Sequence, residues 1–292
     1  THQVTSHMTH KSVTRILHSY RSGSSWPVLV EASDGLRYVM KWRGTAEGPA
    51  ANAADMIALR LTRLVGIPVP TPHVLHLTAV LVHPKQDPEL NDLIHRSVGT
   101  NLGIEEIPGT EPYHHERLLE VPPQLRALVY AFDVLFLNMD RTKSNPNLVF
   151  AQSGLLCWDF AAVMEVRMLL ERRSLTENIF YPLLRRHPFY ERSGGVPVRF
   201  PQIDAGEIAS IVADVPDDWF AAETDRSSIA AGIRHIFVEA ATILERRRAD
   251  IDTTPLETDE ERAARGSANR KAFEAAVDEI TNRSSAESGK KP

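Results

Sequence analysis

Four side chains in this sequence have the types and the order that phosphoryl transfer asks for: Lys41, Asp140, Asn145 and Asp159. That chemistry passes through a loose transition state, so it needs alignment and charge neutralisation more than covalent help. A lysine closing a strand can hold the α and β phosphates, and an aspartate can orient an acceptor hydroxyl and take its proton. An asparagine five residues later and a second aspartate beyond a hairpin can hold divalent cations through hard oxygen ligands. Asp140 and Asn145 have that spacing, and Asp159 stands fourteen residues after Asn145. Alone, Asp-x-x-x-x-Asn is as well explained by a turn whose side chains bond their own backbone. The ordered company of Lys41 and Asp159 makes it a candidate site.

The neighbours of these residues admit two readings each. Gly23-Ser24-Ser25 is a flexible cradle for phosphates or an ordinary hairpin turn. Arg141 and Lys143 flank the candidate base and either stabilise a transferred phosphoryl group or sit in solvent. Asp133, on the apolar stretch before the loop, is a partner of that loop or part of a polar helix face. Asn147 is read as capping the following strand, with metal ligation as its alternative. Cys157 is a small core residue. His73 with His76, and His114-His115-Glu116, lack a full ligand set at metal-binding spacing, so surface or satisfied histidines are expected there.

Positioning elements can be read from periodicity and turn chemistry. Val13 to Tyr20, Val28 to Ala32 and Leu36 to Trp42 read as strands, with Ser33-Asp34-Gly35 as the hairpin turn before Lys41's strand. Ala50 to Val65 carries Met56, Ile57, Leu59, Leu61 and Leu64 at helical spacing and stops at Gly66-Ile67-Pro68. Val74 to Val82 and Leu102 to Ile107 are short apolar runs around a polar insertion, His83 to Arg96, read as a loop or excursion. Gln124 to Asn138 is a buried helix leading into the candidate loop, followed by a hairpin through Gly154 to Asp159. Leu175 to Arg186, Ile203 to Asp214, Ile229 to Arg248 and Thr258 to Asn282 read as helices.

The resulting division is a polar N-terminal segment, 1–12, in which Ser6-His7-Met8 resembles a tag remnant; a β-rich region with one helix, 13–107; a helical region, 108–250; and a polar tail, 251–292. Lys and Arg number 33 against 38 Asp and Glu, a net charge of -5, which disfavours direct nucleic-acid binding. The single cysteine excludes an internal disulfide framework and fits a cytoplasmic location. No apolar run approaches a membrane span of about 20 residues.

The run Asn138-Met139-Asp140-Arg141-Thr142-Lys143-Ser144-Asn145-Pro146-Asn147-Leu148, followed by Trp158-Asp159-Phe160-Ala161-Ala162, resembles the catalytic loop and metal-binding segment of HipA-like kinases. Ser22 to Pro27, Tyr38 to Lys41, Leu64 to Pro70 and Pro216-Asp217-Asp218-Trp219 extend the likeness over about Val13 to Arg248. The resemblance implies an α+β, two-lobed protein-kinase-like fold, with a β-rich N-lobe and a helical C-lobe. ATP would lie between them with its adenine near Ile104 to Pro108. It implies a Ser/Thr protein kinase using ATP and magnesium, with Asp140 as base, Asn145 and Asp159 as metal ligands, and Lys41 on the phosphates. Gly23, Ser24, Ser25 and Asp55 would complete the nucleotide site. The acceptor would be a protein hydroxyl; a small-molecule phosphotransferase and a nucleotide-binding pseudokinase are the alternatives, and an antitoxin-like regulator is a further conceivable partner. Two departures stand out. Asp55 occupies the place of the helix glutamate that pairs with the strand lysine, so the pair is longer, rebuilt or taken over by Glu47. Ala161 replaces the glycine of the Asp-Phe-Gly-like element.

Overall fold

Asp34-Gly35 turns the chain back on itself as its residue types require, with Gly35 at φ 76°. The computed structural model describes residues 11–20, 26–192 and 196–256. Strands β1 (Lys11–Ser19), β2 (Val28–Ala32) and β3 (Arg37–Lys41) follow one another antiparallel. Helix α1 (Pro49–Leu64) and strand β4 (Pro72–Leu77) come next, then helix α2 (Pro88–Arg96) and strand β5 (Gly99–Glu105). Strand β5 pairs with both β3 and β4, and β4 meets β1 in parallel at Lys11, closing a barrel in the order β1-β2-β3-β5-β4.

Beyond the barrel, β6 (Glu111–Pro112) leads to α3 (Pro123–Phe136) and the hairpin of β7 (Leu148–Ala151) and β8 (Gly154–Cys157). The remainder is helical: α4 (Met164–Glu171), α5 (Tyr181–Leu184), α6 (Ala205–Ala213), α7 (Arg226–Val238) and α8 (Ala240–Thr253). The architecture is mixed, with an N-terminal barrel and a C-terminal helical region. Contacts make residues up to Thr253 one compact unit; of the second unit, Thr254–Pro292, only 254–256 are described. The reading of Thr258 to Asn282 as a helix lies outside the described residues.

Helix α1 starts with Pro49 at its first turn and ends where Gly66, at φ 87°, lets the Gly66 and Ile67 amides donate to the Arg63 and Thr62 carbonyls. Its Met56, Ile57, Leu59 and Leu61 are fully buried in an apolar core that also contains Leu102, Phe132, Phe136, Phe160 and Trp219. A second core fills the barrel around Val28, Val30, Met40 and Trp42. Helix α1 thus belongs to the same core as the helical region, across the 107/108 boundary read from the sequence.

Three expectations are corrected. His83 to Arg96 is no plain loop: Asp87 caps α2, Pro88 opens it, and Leu90, Leu93 and Ile94 are buried against the barrel core. Leu175 to Arg186 holds only a 3-10 turn and the single turn of α5, while the unanticipated α4 begins five residues after Asp159. Ile229 to Arg248 is broken between α7 and α8, which bend by 70°. α7 packs on α4 and α6 while α8 packs on α3, and one straight helix could not reach both. No single helix among the described residues is long and apolar enough to cross a membrane.

Candidate functional site

Strand β3 ends in Lys41, a residue 5% exposed whose ammonium lies 2.6 Å from Asp55 Oδ2 on α1 and 2.8 Å from Asp159 Oδ1 after β8. Of the two carboxylates offered by the sequence, Asp55 makes the pair; Glu47 lines the adjoining cavity. The short aspartate reaches because α1 lies close to the sheet. Its other oxygen accepts the Phe160 amide at 2.8 Å, and Asn52 Nδ2 donates to the Lys41 carbonyl at 3.2 Å. Burial works against the Lys41 charge, but Asp159 and Asp55 outweigh it and hold the ammonium above its ordinary pKa. Burial, with Asp159 nearby, pushes Asp55 up against the pull of Lys41. Asp159 is pushed up by burial but held below the carboxylate range by Lys41. One lysine faces two carboxylates.

The loop after α3 supplies the other half. Asp140 Oδ2 accepts from Asn145 Nδ2 at 2.9 Å and from Asn147 Nδ2 at 3.0 Å. Both amide nitrogens are therefore turned to Asp140, and the side-chain oxygens of Asn145 and Asn147 remain as acceptor atoms. Asp140, Asn145, Asn147, Lys41 and Asp159 all line one cavity of about 610 Å³. Asp159 binds Lys41 and the Ala161 amide through Oδ1. Among the described residues there is no cluster of three or more His, Cys, Asp or Glu suited to a metal. One carboxylate plus amide oxygens beside a polar cavity is nonetheless the donor set that magnesium accepts when phosphates and water complete its shell.

This loop is held by a buried network. Asp133 of α3, fully buried, accepts from Arg141 Nε at 2.6 Å, His187 Nε2 at 2.9 Å and Asn138 Nδ2 at 2.9 Å. The Phe189 amide donates to His187 Nδ1 at 3.0 Å, so the ring proton sits on Nε2 and points to Asp133. Arg141 Nη1 donates to the Asn147 carbonyl at 2.6 Å and also reaches the carbonyls of Pro146 and Trp158. Its guanidinium lies over the Phe160 ring, 4.6 Å from the centroid. Burial pushes Asp133 up, but Arg141 and His187 outweigh it and keep it ionised below its usual range. Arg141 is therefore neither a solvent charge nor a phosphoryl contact; it is 1% exposed and braces the loop. Lys143 is exposed at the loop's rim.

The brace matters because Asn147 and Asp159 both have left-handed backbone, at φ 48° and 57°. Such conformations cost non-glycine residues of order 1 kcal/mol or more each. Arg141 binds the carbonyl of the first and that of Trp158, which precedes the second. The left-handed residue of the Asp-Phe-Gly-like element is thus Asp159, and Ala161 is not in that region. The reading of Asn147 as a strand cap gives way to its bond with Asp140.

A second, apolar cavity of about 380 Å³ adjoins the first, sharing Pro27 and Trp158 with it. Val39, Pro70, Ile104 and Leu156 line it, with the Glu105–Thr110 connection at its edge. Gly23, Ser24 and Ser25 lie outside the described residues. Sequence reasoning missed His187, whose bond to Asp133 spans 54 positions, and Arg167, a cavity-lining cation on the unanticipated α4. Asn52, also lining the polar cavity, was not singled out either, and Trp158 was read only as part of the Asp159 segment. His73 is part-buried beside Tyr38, with its pKa lowered by burial and by Lys11.

A family model described as HipA-like kinase matches residues 13–250. Among solved structures, a proinflammatory kinase of Helicobacter pylori, CtkA, is similar at 10% identity and a TM-score of 0.42, over 83% of this chain and 97% of that one. A MAP kinase of Leishmania major, LmaMPK10, is similar at 12% identity and a TM-score of 0.25, over 91% and 94% of the two chains. No curated protein matches the chain. With the family match covering the barrel, the braced loop and nearly all of the helical region, the chain belongs to the HipA-like kinase family.

Proposed function

We propose that this protein is an ATP- and magnesium-dependent phosphotransferase, acting as a Ser/Thr protein kinase of the HipA-like type. The observation that carries the reading is the convergence of Lys41, Asp140, Asn145 and Asp159, from three separated stretches of chain, on one polar cavity beside an apolar slot. A planar base would suit the slot's apolar lining, with residues 105–110 also lining it. Lys41 would meet the α and β phosphates. Asn145 and Asp159 would hold magnesium through side-chain oxygens; when bound, that ion supplies charge neutralisation across the phosphate oxygens.

Asp140 accepts from two amides at one oxygen, which leaves the other to meet an incoming hydroxyl. It takes the hydroxyl proton as the acceptor oxygen bonds to the γ-phosphorus and the bond to the β-phosphate oxygen breaks, releasing ADP. Incubation with γ-labelled ATP and magnesium, followed by mass spectrometry, tests the reading. Asp140→Ala is expected to lower transfer by about a hundredfold or more while nucleotide binding persists. Normal turnover in that variant refutes the assignment of the base. Labelling of proteins in cell extract, against labelling in a metabolite panel, separates a protein acceptor from a small one.

A further inference from the structure

The Pro216-Asp217-Asp218-Trp219 motif has no part in the cavity, yet it returns from the helical region to grip the barrel. Trp219 is 1% exposed and donates its indole N–H to the Thr100 carbonyl on β5 at 3.1 Å. Both Asp218 oxygens accept from the Thr100 hydroxyl, at 2.6 and 2.7 Å, and Asp218 also pairs with Arg43. Arg43 lies two residues past Lys41, and its amide is fixed at 2.9 Å to the buried Asn101 side chain. Gly99, at φ 109°, lies against this junction: a Cβ there would meet the Arg43 guanidinium at 2.9 Å. A few residues earlier, Asp214 at the end of α6 pairs with Arg60 of α1 at 2.6 Å. Arg60 is five residues past Asp55. One short segment therefore ties down the element bearing Lys41 and the element bearing Asp55.

We infer that Asp214 to Trp219 is a clasp that holds α1 against the end of β3, with Asp214 and Asp218 as positioning residues for the Lys41–Asp55 pair. The need for it follows from Asp55 itself. An aspartate is one methylene shorter than a glutamate, so the 2.6 Å contact tolerates little outward drift of α1. Packing of α1 on α4, α6 and the 217–219 turn continues the same restraint. The clasp rests on the proposed function only for its kinetic consequence; its structural consequence is separate.

Hydrogen exchange on the full chain reads that structural consequence. The Phe160 amide donates to Asp55, so its protection reports the formed pair. Asp214→Ala/Asp218→Ala is expected to speed exchange at Phe160 and in α1 by about tenfold, with α3 unchanged. Arg43→Gln, a change at a part-buried side chain, should act in the same direction, and Arg43→Lys should restore protection. Exchange left unaltered in α1, or raised equally in every helix, overturns the clasp. In phosphoryl transfer the double variant should lose about tenfold in kcat, with no further loss when placed on Lys41→Ala, because the clasp acts through that lysine. Equal loss in both backgrounds overturns the positioning role. A wild-type chain without transfer would defeat the proposed function while leaving the exchange result to decide the clasp.

Discussion

Removing the Asp133 carboxylate should be among the most damaging single changes in the molecule. Asp133→Ala strips three donors of their acceptor and leaves the Arg141 guanidinium, itself 1% exposed, without a counter-charge. Breaking a buried pair from one side costs about 3–5 kcal/mol, because the abandoned charge stays desolvated. In a domain of this size that is a fall in Tm of about 6 to 20 °C. Denaturant titration followed by tryptophan fluorescence, with heating curves beside it, measures both. Asp133→Leu with Arg141→Met removes the charges together and should recover much of the stability. It should not recover phosphoryl transfer, since the Asn147 and Trp158 carbonyls still lose their donor. The pH dependence has a definite sign. Arg141 and His187 hold Asp133 below its usual range, so its contribution is present above the unfolded pKa of about 3.9 and is lost as pH falls through the folded value. A loss below about 1 kcal/mol for Asp133→Ala, the scale of a solvated surface pair, would refute the argument that this network is a buried brace.

Two further outcomes follow from burial. Burial holds His187 below its ordinary pKa despite Asp133, so the unfolded chain binds the extra proton and stability falls as pH drops below about 6.5, by at most about 1.4 kcal/mol per pH unit. His187→Gln should flatten that limb of a stability–pH curve, and superimposable slopes would count against it. Cys157 is fully buried and its thiol is pushed up to about 12. Iodoacetamide at pH 8 should leave it unmodified in the native protein and alkylate it in urea, as read by intact mass; rapid native labelling would contradict its place in the core.

Much of the scaffold was legible because its signals are local. The Asp34-Gly35 turn, the Gly66 stop of α1, the apolar stripe of α3 and the Gly154 hairpin each declare themselves within a few residues. Helix α2 had such a signal too, in Asp87-Pro88 with buried Leu90, Leu93 and Ile94, but the polar composition around it masked the stripe. Helix α4 had none: Val163 precedes it without a side-chain cap, and its reason for being helical is packing on α1 and α7. The break between α7 and α8 is likewise tertiary, since each half answers to a different neighbour.

The site shows the same division more sharply. Asp140, Asn145 and Asp159 could be picked out by spacing, but spacing alone does not aim side chains. What aims them is backbone in the left-handed region at Asn147 and Asp159, which non-glycine residues adopt only when the surroundings outweigh the strain. Those surroundings are one buried arginine bonded to carbonyls beside both residues. That arginine keeps its charge because Asp133, eight positions earlier, and the His187 that orients Asp133 are buried with it. Arginine is usually a surface residue, so sequence reasoning assigned Arg141 to solvent or to a phosphoryl group. The candidate site residues therefore depend on an arginine whose role is set by burial against Asp133 and His187. Conservative exchange of Arg141 for lysine should disable the loop: one ammonium on a flexible stem cannot reproduce the planar fork that binds a carboxylate and the Asn147 and Trp158 carbonyls together.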